Sequence, residues 1–297
     1  MSVETMKTWK IGDVEITRIA EVYHWVDDVT MLLPDASPET VLQYGWLQPH
    51  FATAEGQMIL NFQCFVMKTP AHRIMLDTCI GADREREFDV FTNMQTSFLD
   101  DLAQAGFSPQ TIDLVLCTHL HFDHVGWNTH LVDGKWVPTF PNARYLFGRK
   151  EYEHWKMLEE TKGYHDLNHM YDAVLPVVEA GLVDLIEPDH EICPEITLRP
   201  TPGHTPGHVS IEISSQGERA MVTGDMMHHP IQFERPADLV RFDMDQARGS
   251  QTRQTLVDDL ANSDVFVIGS HFADPTGGWV VRDEQGCRLE PSQARKR

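Results

Sequence analysis

A run of four potential metal ligands lies in residues 118–126, Thr-His-Leu-His-Phe-Asp-His-Val-Gly. The donors are His119, His121, Asp123 and His124, in a chain with only 16 histidines among 297 residues. In extended backbone, residues two apart point to the same side, so the first three donors share a face before the chain turns. Imidazole and carboxylate without thiolate suit divalent zinc, manganese, iron or cobalt. Four such donors on one short loop can be shared between two neighbouring ions.

The segments around this run predict where it lies in the fold. Residues 112–117, Ile-Asp-Leu-Val-Leu-Cys, have the character of a buried strand. In open α/β sheets, ligand sites usually lie where strands end. Three further segments with potential donors follow, namely Thr201-Pro-Gly-His204-Thr-Pro-Gly-His208, Thr-Gly-Asp225 and Gly-Ser-His271. The Pro-Gly pairs of the first segment predict a loop that is rigid before any metal binds.

Together these motifs resemble those of the metallo-β-lactamase-fold hydrolases. Within that superfamily, they are more similar to the dinuclear lactonases and organophosphate hydrolases than to the antibiotic-degrading enzymes. The resemblance covers residues 62–271. It implies an α/β fold, a four-layer αβ/βα sandwich of two mixed sheets flanked by helices, with residues 1–297 as a single domain. It also suggests a homodimer.

The resemblance implies seven metal ligands. It places His119, His121 and His204 at one ion, and Asp123, His124 and His271 at a second. Asp225 would bridge the two ions, because a carboxylate has two oxygens. Two supporting residues are also implied: His208 would brace its loop, and Asp77 would either support the metal loop from behind or cap a turn. The expected cofactors are two divalent ions, zinc first, with manganese, iron or cobalt as alternatives.

A mechanism follows from this expected centre. Two ions that share a water lower its pKa from 15.7 toward about 7, and the bridging hydroxide then attacks the substrate carbonyl. Asp123 and Asp225 are therefore candidate catalytic residues. In the similar lactonases a tyrosine stands three residues after the bridging aspartate, whereas this chain has His228 there, followed by His229. His228 is the candidate for assisting the substrate oxygen, although either histidine could face the substrate.

The predicted function is hydrolysis of a lactone or carboxylic ester, with a small molecule as substrate. A phosphotriester hydrolase is the main alternative, and a thioester hydrolase, an iron-dependent dioxygenase and a non-enzymatic binding protein are weaker ones. The basic cluster by which thioester hydrolases of this fold bind glutathione is not evident. The complete second ligand set argues against a single-iron dioxygenase and against an inactive relative. No G-x-S-x-G nucleophile elbow is present.

Composition limits the classes of partner. The formal net charge of −21 argues against binding to a phosphate backbone, so no nucleic-acid partner is expected. No apolar leader is seen near the N-terminus and no run of 18 apolar residues exists, so we expect no membrane association and a cytoplasmic location. The five cysteines form no CxxC pair, which favours free buried thiols.

Local patterns predict most of the elements. Residues 10–22 alternate around Gly12-Asp13 and predict a hairpin. Residues 23–58 predict an irregular insertion near the active site or at a dimer contact. Its aromatic residues, with Phe65, Met67 and Phe233, either pack in the core or form an apolar pocket. Helices are predicted at residues 96–105, 150–160, 166–179 and 252–261. Strands are predicted at residues 61–68, 73–77, 112–117, 143–147, 182–186, 196–199, 209–213, 220–223 and 265–269, and a polar tail at 290–297.

Overall fold

The predicted hairpin opens the fold, with Gly12 at φ 56° in its turn. The computed structural model describes residues 6–162 and 169–291. The hairpin is the edge of a seven-stranded sheet with the order β1-β2-β3-β4-β5-β8-β9. Its first four strands are antiparallel and its last three pairings are parallel. The strands are β1 (Met6–Ile11), β2 (Val14–Asp27), β3 (Met58–Lys68), β4 (Arg73–Leu76), β5 (Leu114–Leu116), β8 (Arg144–Gly148) and β9 (Val183–Ile186).

A second seven-stranded sheet is built from the C-terminal part of the chain, in sequence order from β10 to β16. All of its pairings are antiparallel except that of β13 with β14. The strands are β10 (Glu191–Cys193), β11 (Ile196–Pro200), β12 (Val209–Ser215), β13 (Glu218–Val222), β14 (Val265–Ile268), β15 (Gly277–Asp283) and β16 (Gly286–Glu290). A separate hairpin joins β6 (Thr129–Val132) and β7 (Lys135–Pro138).

Helices cover the outer faces of both sheets, which confirms the predicted sandwich of two mixed sheets. One apolar cluster, including Phe65 and Ile211, lies between the sheets. A second packs helices against the first sheet, and a third packs them against the second sheet. The helices are α1 (Pro38–Leu42), α2 (Phe98–Gln104), α3 (Phe122–Val125), α4 (Arg149–Lys162), α5 (Leu175–Glu179), α6 (Ile231–Glu234) and α7 (Gln246–Leu260).

Several element boundaries differ from the sequence prediction for local reasons. Helix α7 begins six residues earlier than predicted, because Asp245 caps it by accepting a hydrogen bond from the backbone N–H of Arg248. The helix predicted at 166–179 is instead a π-helical turn, Met170–Val174, followed by α5. Pro176 lies in the first turn of α5, where its missing N–H costs no helical hydrogen bond. Residues 163–168, including His165, and residues 292–297 of the predicted tail lie outside the described residues.

The segment 23–58 contributes to both the core and the cavity over the donor clusters, and its role as a dimer contact stays a prediction. Its first residues continue β2 as far as Asp27. Phe51 is buried in the core, and Tyr44 and Trp46 pack against it. Trp25 instead lines the large cavity described below. The alternative of an apolar pocket around Phe65, Met67 and Phe233 is wrong, because these three side chains lie in the core.

The cysteines and the helices bear on two further expectations. Cys64, Cys79, Cys117, Cys193 and Cys287 are all buried and unpaired, which confirms the prediction of free thiols. Across the described ranges, every helix is too short or too polar to pass through a lipid bilayer.

Candidate metal centre

The histidine-rich loop starts where β5 ends, and Asp77 holds it in place from the neighbouring end of β4. The backbone N–H of Thr118 donates to Asp77 Oδ1 at 2.8 Å. The other carboxylate oxygen, Oδ2, lies 2.9 Å from His124 Nδ1. Asp77 is thus tied to both ends of the loop, which is the supporting position that the resemblance implied. Gly126 closes the loop where a Cβ would lie 2.0 Å from the backbone of Ile80, so only glycine fits.

The first donor cluster consists of His119, His121 and His204 with one oxygen of Asp225. The Nε2 atoms of His119 and His204 lie 2.9 and 2.8 Å from His121 Nδ1. Asp225 Oδ2 lies 3.8 Å from His119 Nε2 and 3.5 Å from His204 Nε2. The four side chains come from three separate loops, and their donor atoms all fall within 4.8 Å of one another.

The second donor cluster shares Asp225 with the first. Asp225 Oδ1 lies 3.1 Å from the Nε2 atoms of both His124 and His271. Asp123 Oδ2 lies 3.7 Å from His124 Nε2 and 3.5 Å from His271 Nε2. The two oxygens of Asp225 therefore face different clusters. The structure brings all seven predicted ligand residues together in two groups, with the carboxylate expected to bridge between them.

Hydrogen bonds at the outer ring nitrogens decide which nitrogen carries the proton. His124 Nδ1 lies 2.9 Å from Asp77 Oδ2. His271 Nδ1 lies 2.9 Å from the carbonyl oxygen of Asn61. These oxygens only accept hydrogen bonds, so each Nδ1 donates and a neutral ring presents a lone pair at Nε2. Both lone pairs face Asp225 Oδ1, which receives no hydrogen bond of good geometry. A cation between these atoms would remove the repulsion, so the donor set fits a divalent metal ion.

Burial keeps the first cluster neutral. It holds the pKa of His119 and that of His204 well below the usual value for histidine. It also lowers the pKa of His121 to about 4. Neutral imidazole is the form that binds a metal, so these rings need lose no proton when an ion arrives.

The second cluster attracts positive charge. Burial alone would lower the pKa of His124, but the carboxylates of Asp225, Asp77 and Asp123 outweigh it and raise that pKa well above its usual value. Burial likewise opposes protonation of His271, and Asp225 and Asp123 again raise its pKa. A proton or a metal ion can supply the charge that these carboxylates favour. Metal binding at this cluster is therefore expected to release protons.

His208 does not belong to either cluster and instead positions Asp225. Its Nε2 accepts a hydrogen bond from the backbone N–H of Asp225 at 2.9 Å, and its Nδ1 lies 2.8 Å from Thr201 Oγ1. Burial lowers the pKa of His208 to about 3, so its acceptor nitrogen stays unprotonated. Gly224 has φ 56°, and a Cβ there would lie 2.5 Å from His208 Nε2. The loop-bracing role expected of His208 matches this geometry.

The two adjacent histidines after Asp225 face opposite ways. His228 Nε2 lies 3.2 Å from Asp225 Oδ2, and its ring lines the cavity above both clusters. The ring of His229 points into the core, where Nε2 donates to the carbonyl oxygen of Phe51 at 2.7 Å. Gln232 fixes this turn, because its Oε1 accepts hydrogen bonds from the backbone N–H groups of both histidines. Of the two, His228 is the one placed to meet a substrate.

A cavity of about 380 Å³ lies over the two clusters and includes side chains from both. Its walls contain seven Phe and Trp side chains. Phe91 is central to them, with its ring centroid 4.9 Å from that of Phe62 and 5.4 Å from that of Trp25. The carboxylates of Asp27 and Glu87 also line the cavity. The aromatic wall residues are Trp25, Phe62, Phe88, Phe91, Phe122, Trp155 and Phe242.

Sequence reasoning did not identify the residues that fix the clusters from helix α4. Glu151 accepts hydrogen bonds from the backbone N–H groups of Leu120 and Gly207, at 3.1 and 2.9 Å, and so links two donor loops. Trp155 lies one turn later with its ring centroid 5.4 Å from that of His121. His169 is in neither cluster but is buried and lines the cavity. The available sequence signal was a Glu and a Trp four residues apart on a predicted helix.

Comparison with known proteins agrees with this geometry. The profile of the Metallo-beta-lactamase superfamily matches residues 63–269. The chain belongs to the metallo-beta-lactamase superfamily. An N-acyl homoserine lactonase of a Bacillus species is 24% identical over 250 residues, which cover 80% of this chain and 88% of that protein. The corresponding lactonase of Bacillus thuringiensis is 24% identical over 254 residues, covering 81% and 90% of the two chains.

Solved structures of the superfamily share the fold along nearly the whole chain. The hydrolase AbOPH superposes with a TM-score of 0.80 at 22% identity, covering 98% of this chain and 99% of that one. AidC, a dizinc quorum-quenching lactonase in complex with a product, gives a TM-score of 0.76 at 21% identity and covers 97% of each chain. Superfamily membership and the His/Asp clusters together make this protein one of the metallo-hydrolases.

Proposed function

We propose that this protein is a dinuclear metal-dependent hydrolase that acts on a lactone or a carboxylic ester. The single observation that supports this most is the orientation of Asp225, whose two oxygens face two separate groups of donors. The lactonase relatives, at 24% identity, support the choice of a lactone or ester as substrate. The five buried thiols favour a reducing compartment such as the cytoplasm.

The proposed metal ligands are the two clusters described above. His119, His121 and His204 would hold one ion, Asp123, His124 and His271 the other, and Asp225 both. Nitrogen and oxygen donors without thiolate suit zinc first, and also manganese, iron or cobalt. When bound, two such ions lower the pKa of a water toward about 7 and polarise the carbonyl oxygen of an ester.

The protein side chains supply orientation and proton transfer. Asp225 fixes the separation of the two donor clusters, because one rigid carboxylate contacts both. Asp123 lines the cavity with part of its side chain exposed, so it can accept a proton from water or return one to the leaving alcohol. His228 also lines the cavity and can donate a hydrogen bond to the substrate oxygen as negative charge develops there.

The cavity supports a neutral substrate with an apolar part. Rings such as Phe62 and Phe91 offer apolar contact close to His271, whose ring centroid lies 5.2 Å from that of Phe62. Asp27 and Glu87 line the same cavity, and the whole chain carries a net charge of −21. Together with Glu85, these carboxylates offset the positive charge of Arg86 and of the two proposed ions, so the cavity favours neutral substrates such as lactones and esters.

The ring-rich wall also favours a second candidate, hydrolysis of an aryl phosphotriester. Phe91 lies between two other rings of the wall, with its ring centroid 5.4 Å from that of Trp25 and 5.9 Å from that of Phe122. The three rings form a continuous aromatic surface. Such a surface can stack against an aryl leaving group. A phosphotriester is neutral, so the acidic residues at the cavity permit it as well.

One screen tests both candidates. The metal-free protein is loaded with zinc or manganese and assayed on lactones, aryl esters and phosphotriesters, and the metal content is measured in parallel. His119→Ala should lose metal and nearly all turnover. The matched control is His190→Ala, which removes an exposed histidine and should change neither. Turnover that persists in metal-depleted protein would overturn the proposal.

A further inference from the structure

Asp243 is a buried carboxylate behind His204, at the ring nitrogen that points away from the donor cluster. Its Oδ1 lies 3.4 Å from His204 Nδ1, and its side chain has no exposed surface. Neither atom has another hydrogen-bond partner. A normal N–H···O distance is about 2.7–3.2 Å, so a small movement of the His204 ring completes this bond. These two atoms are a complementary donor and acceptor, and a buried polar atom left unpaired is destabilising, so they form a natural hydrogen-bonded pair.

Arg253 fixes the orientation of the Asp243 carboxylate. Its Nη2 donates to Asp243 Oδ2 at 2.8 Å, and both side chains are fully buried. Gly249 packs against the same oxygen, where a Cβ would lie 2.3 Å away. With Oδ2 held on both sides, Oδ1 stays directed at His204.

The backbone holds the same two segments together. The N–H of Met244 donates to the carbonyl oxygen of His204, and the N–H of Asp245 to that of Gly203, both at 3.0 Å. Thr252 Oγ1 donates to the carbonyl oxygen of Pro202 at 2.7 Å. The start of helix α7 and the loop that carries His204 therefore form one unit, so the Asp243–His204 distance is well defined.

We propose that Asp243, held by Arg253, is a positioning residue that orients His204 and thereby sets the metal affinity of the first donor cluster. The inference rests on the proposed function, because it assumes an ion at His204 Nε2. A carboxylate at Nδ1 keeps the proton on that nitrogen, directs Nε2 into the cluster and makes the ring a stronger donor. The second cluster has its own supports in Asp77 and Asn61, so Asp243 should act on one site only.

The test is a metal titration of the Asp243→Asn variant. This change keeps the shape of the side chain and removes its charge. Metal-free protein is titrated with Zn²⁺ in competition with a chromophoric chelator, and we expect the native protein to bind two ions per chain. In the variant, affinity for one ion should fall by about 10- to 100-fold while affinity for the other is unchanged. The visible spectrum of Co²⁺-loaded protein should change for one site only.

Gly249→Ala provides a second route if Asp243→Asn does not fold. The added Cβ displaces the carboxylate but leaves its charge, and the same one-site weakening is expected. Asp172→Asn is the matched control: Asp172 is another buried carboxylate, bonded to Arg84 at 2.7 Å, and it contacts neither cluster. It should lower thermal stability and leave both metal affinities unchanged.

The outcomes separate this inference from the proposed function. Native affinity for both ions in the folded Asp243→Asn and Gly249→Ala variants overturns the positioning role and leaves the hydrolase proposal intact. Equal weakening at both sites also overturns it, because His204 is the one candidate ligand that Asp243 contacts among the described residues. A native protein that binds no divalent ion overturns the proposed function itself.

Discussion

At the scale of single residues, His228 differs from the seven candidate ligands because it faces the cavity without completing either cluster. Its Nε2 contacts Asp225 Oδ2 at 3.2 Å, and its Nδ1 is buried without a partner. Replacing it with His228→Phe keeps a ring and removes both nitrogens. Since a single donor to a developing oxyanion contributes about 100-fold or more, kcat should fall by about that factor at unchanged metal content. An unaltered kcat would remove His228 from the mechanism.

His229 shows how orientation changes the behaviour of the same residue type. Burial lowers its pKa from the ordinary 6.5 to about 4. Between these pH values the unfolded chain binds a proton at this ring and the folded chain does not. The contribution of His229 to the free energy of unfolding is therefore fully present above pH 6.5. As the pH is lowered from 6.5 to about 4, this contribution decreases by roughly 1.4 kcal/mol per pH unit.

Replacing His229 tests this pH dependence directly. His229→Gln should lower stability at pH 7, because two hydrogen bonds to Phe51 and Ile231 are disturbed. Between pH 4.5 and 6, the variant should take up about one proton fewer on unfolding, so its free energy of unfolding should depend less steeply on pH. Denaturant titrations across that range measure the slope. The same slope in both proteins would show that another group titrates.

At the scale of elements, helix α4 stabilises the centre through one side chain. Glu151 accepts hydrogen bonds from the backbone of two donor loops and from Trp155 Nε1 at 2.7 Å. Glu151→Ala would leave three buried donors unpaired, at a cost of at least about 3 kcal/mol in the free energy of unfolding. Glu153→Ala, an exposed position on the same helix, should be nearly neutral. Equal stability of the two variants in denaturant titrations would contradict a bracing role.

Elements with local signals were predictable, and the family resemblance predicted that the seven candidate ligands come together. Contacts between distant elements that belong to no motif were not predictable. Gly12 and Gly106, both at positive φ, mark a turn and a helix end that the sequence indicates directly. The donors of residues 119–124 were predictable because their spacing is local. No local pattern indicates that His228, and not His229, faces the cavity. No local pattern indicates the pairing of Asp243 with His204 either. Both depend on how loops of different strands pack, which a single sequence does not encode in any short window.

At the scale of the whole molecule, the candidate centre joins the two sheets. The loop of residues 119–124 follows a strand of the first sheet, whereas Asp225 and His271 follow strands of the second. Ions that bind only the folded chain stabilise it, by about 2.7 kcal/mol when free metal is 100 times the Kd. For a chain of 297 residues, loss of that stabilisation on chelation should lower the melting temperature by roughly 4 °C. Added zinc should restore it, and a melting temperature indifferent to chelator would exclude such a link.

The cavity walls and the donors belong to different stretches of chain. Apart from Phe122, aromatic wall residues such as Trp25, Phe88 and Phe242 come from segments without any member of the two clusters. Substitutions in those segments can reshape the space that admits a molecule while the reactive centre stays whole. If the proposed activity is correct, selectivity could therefore be altered by single substitutions that leave every candidate metal ligand in place.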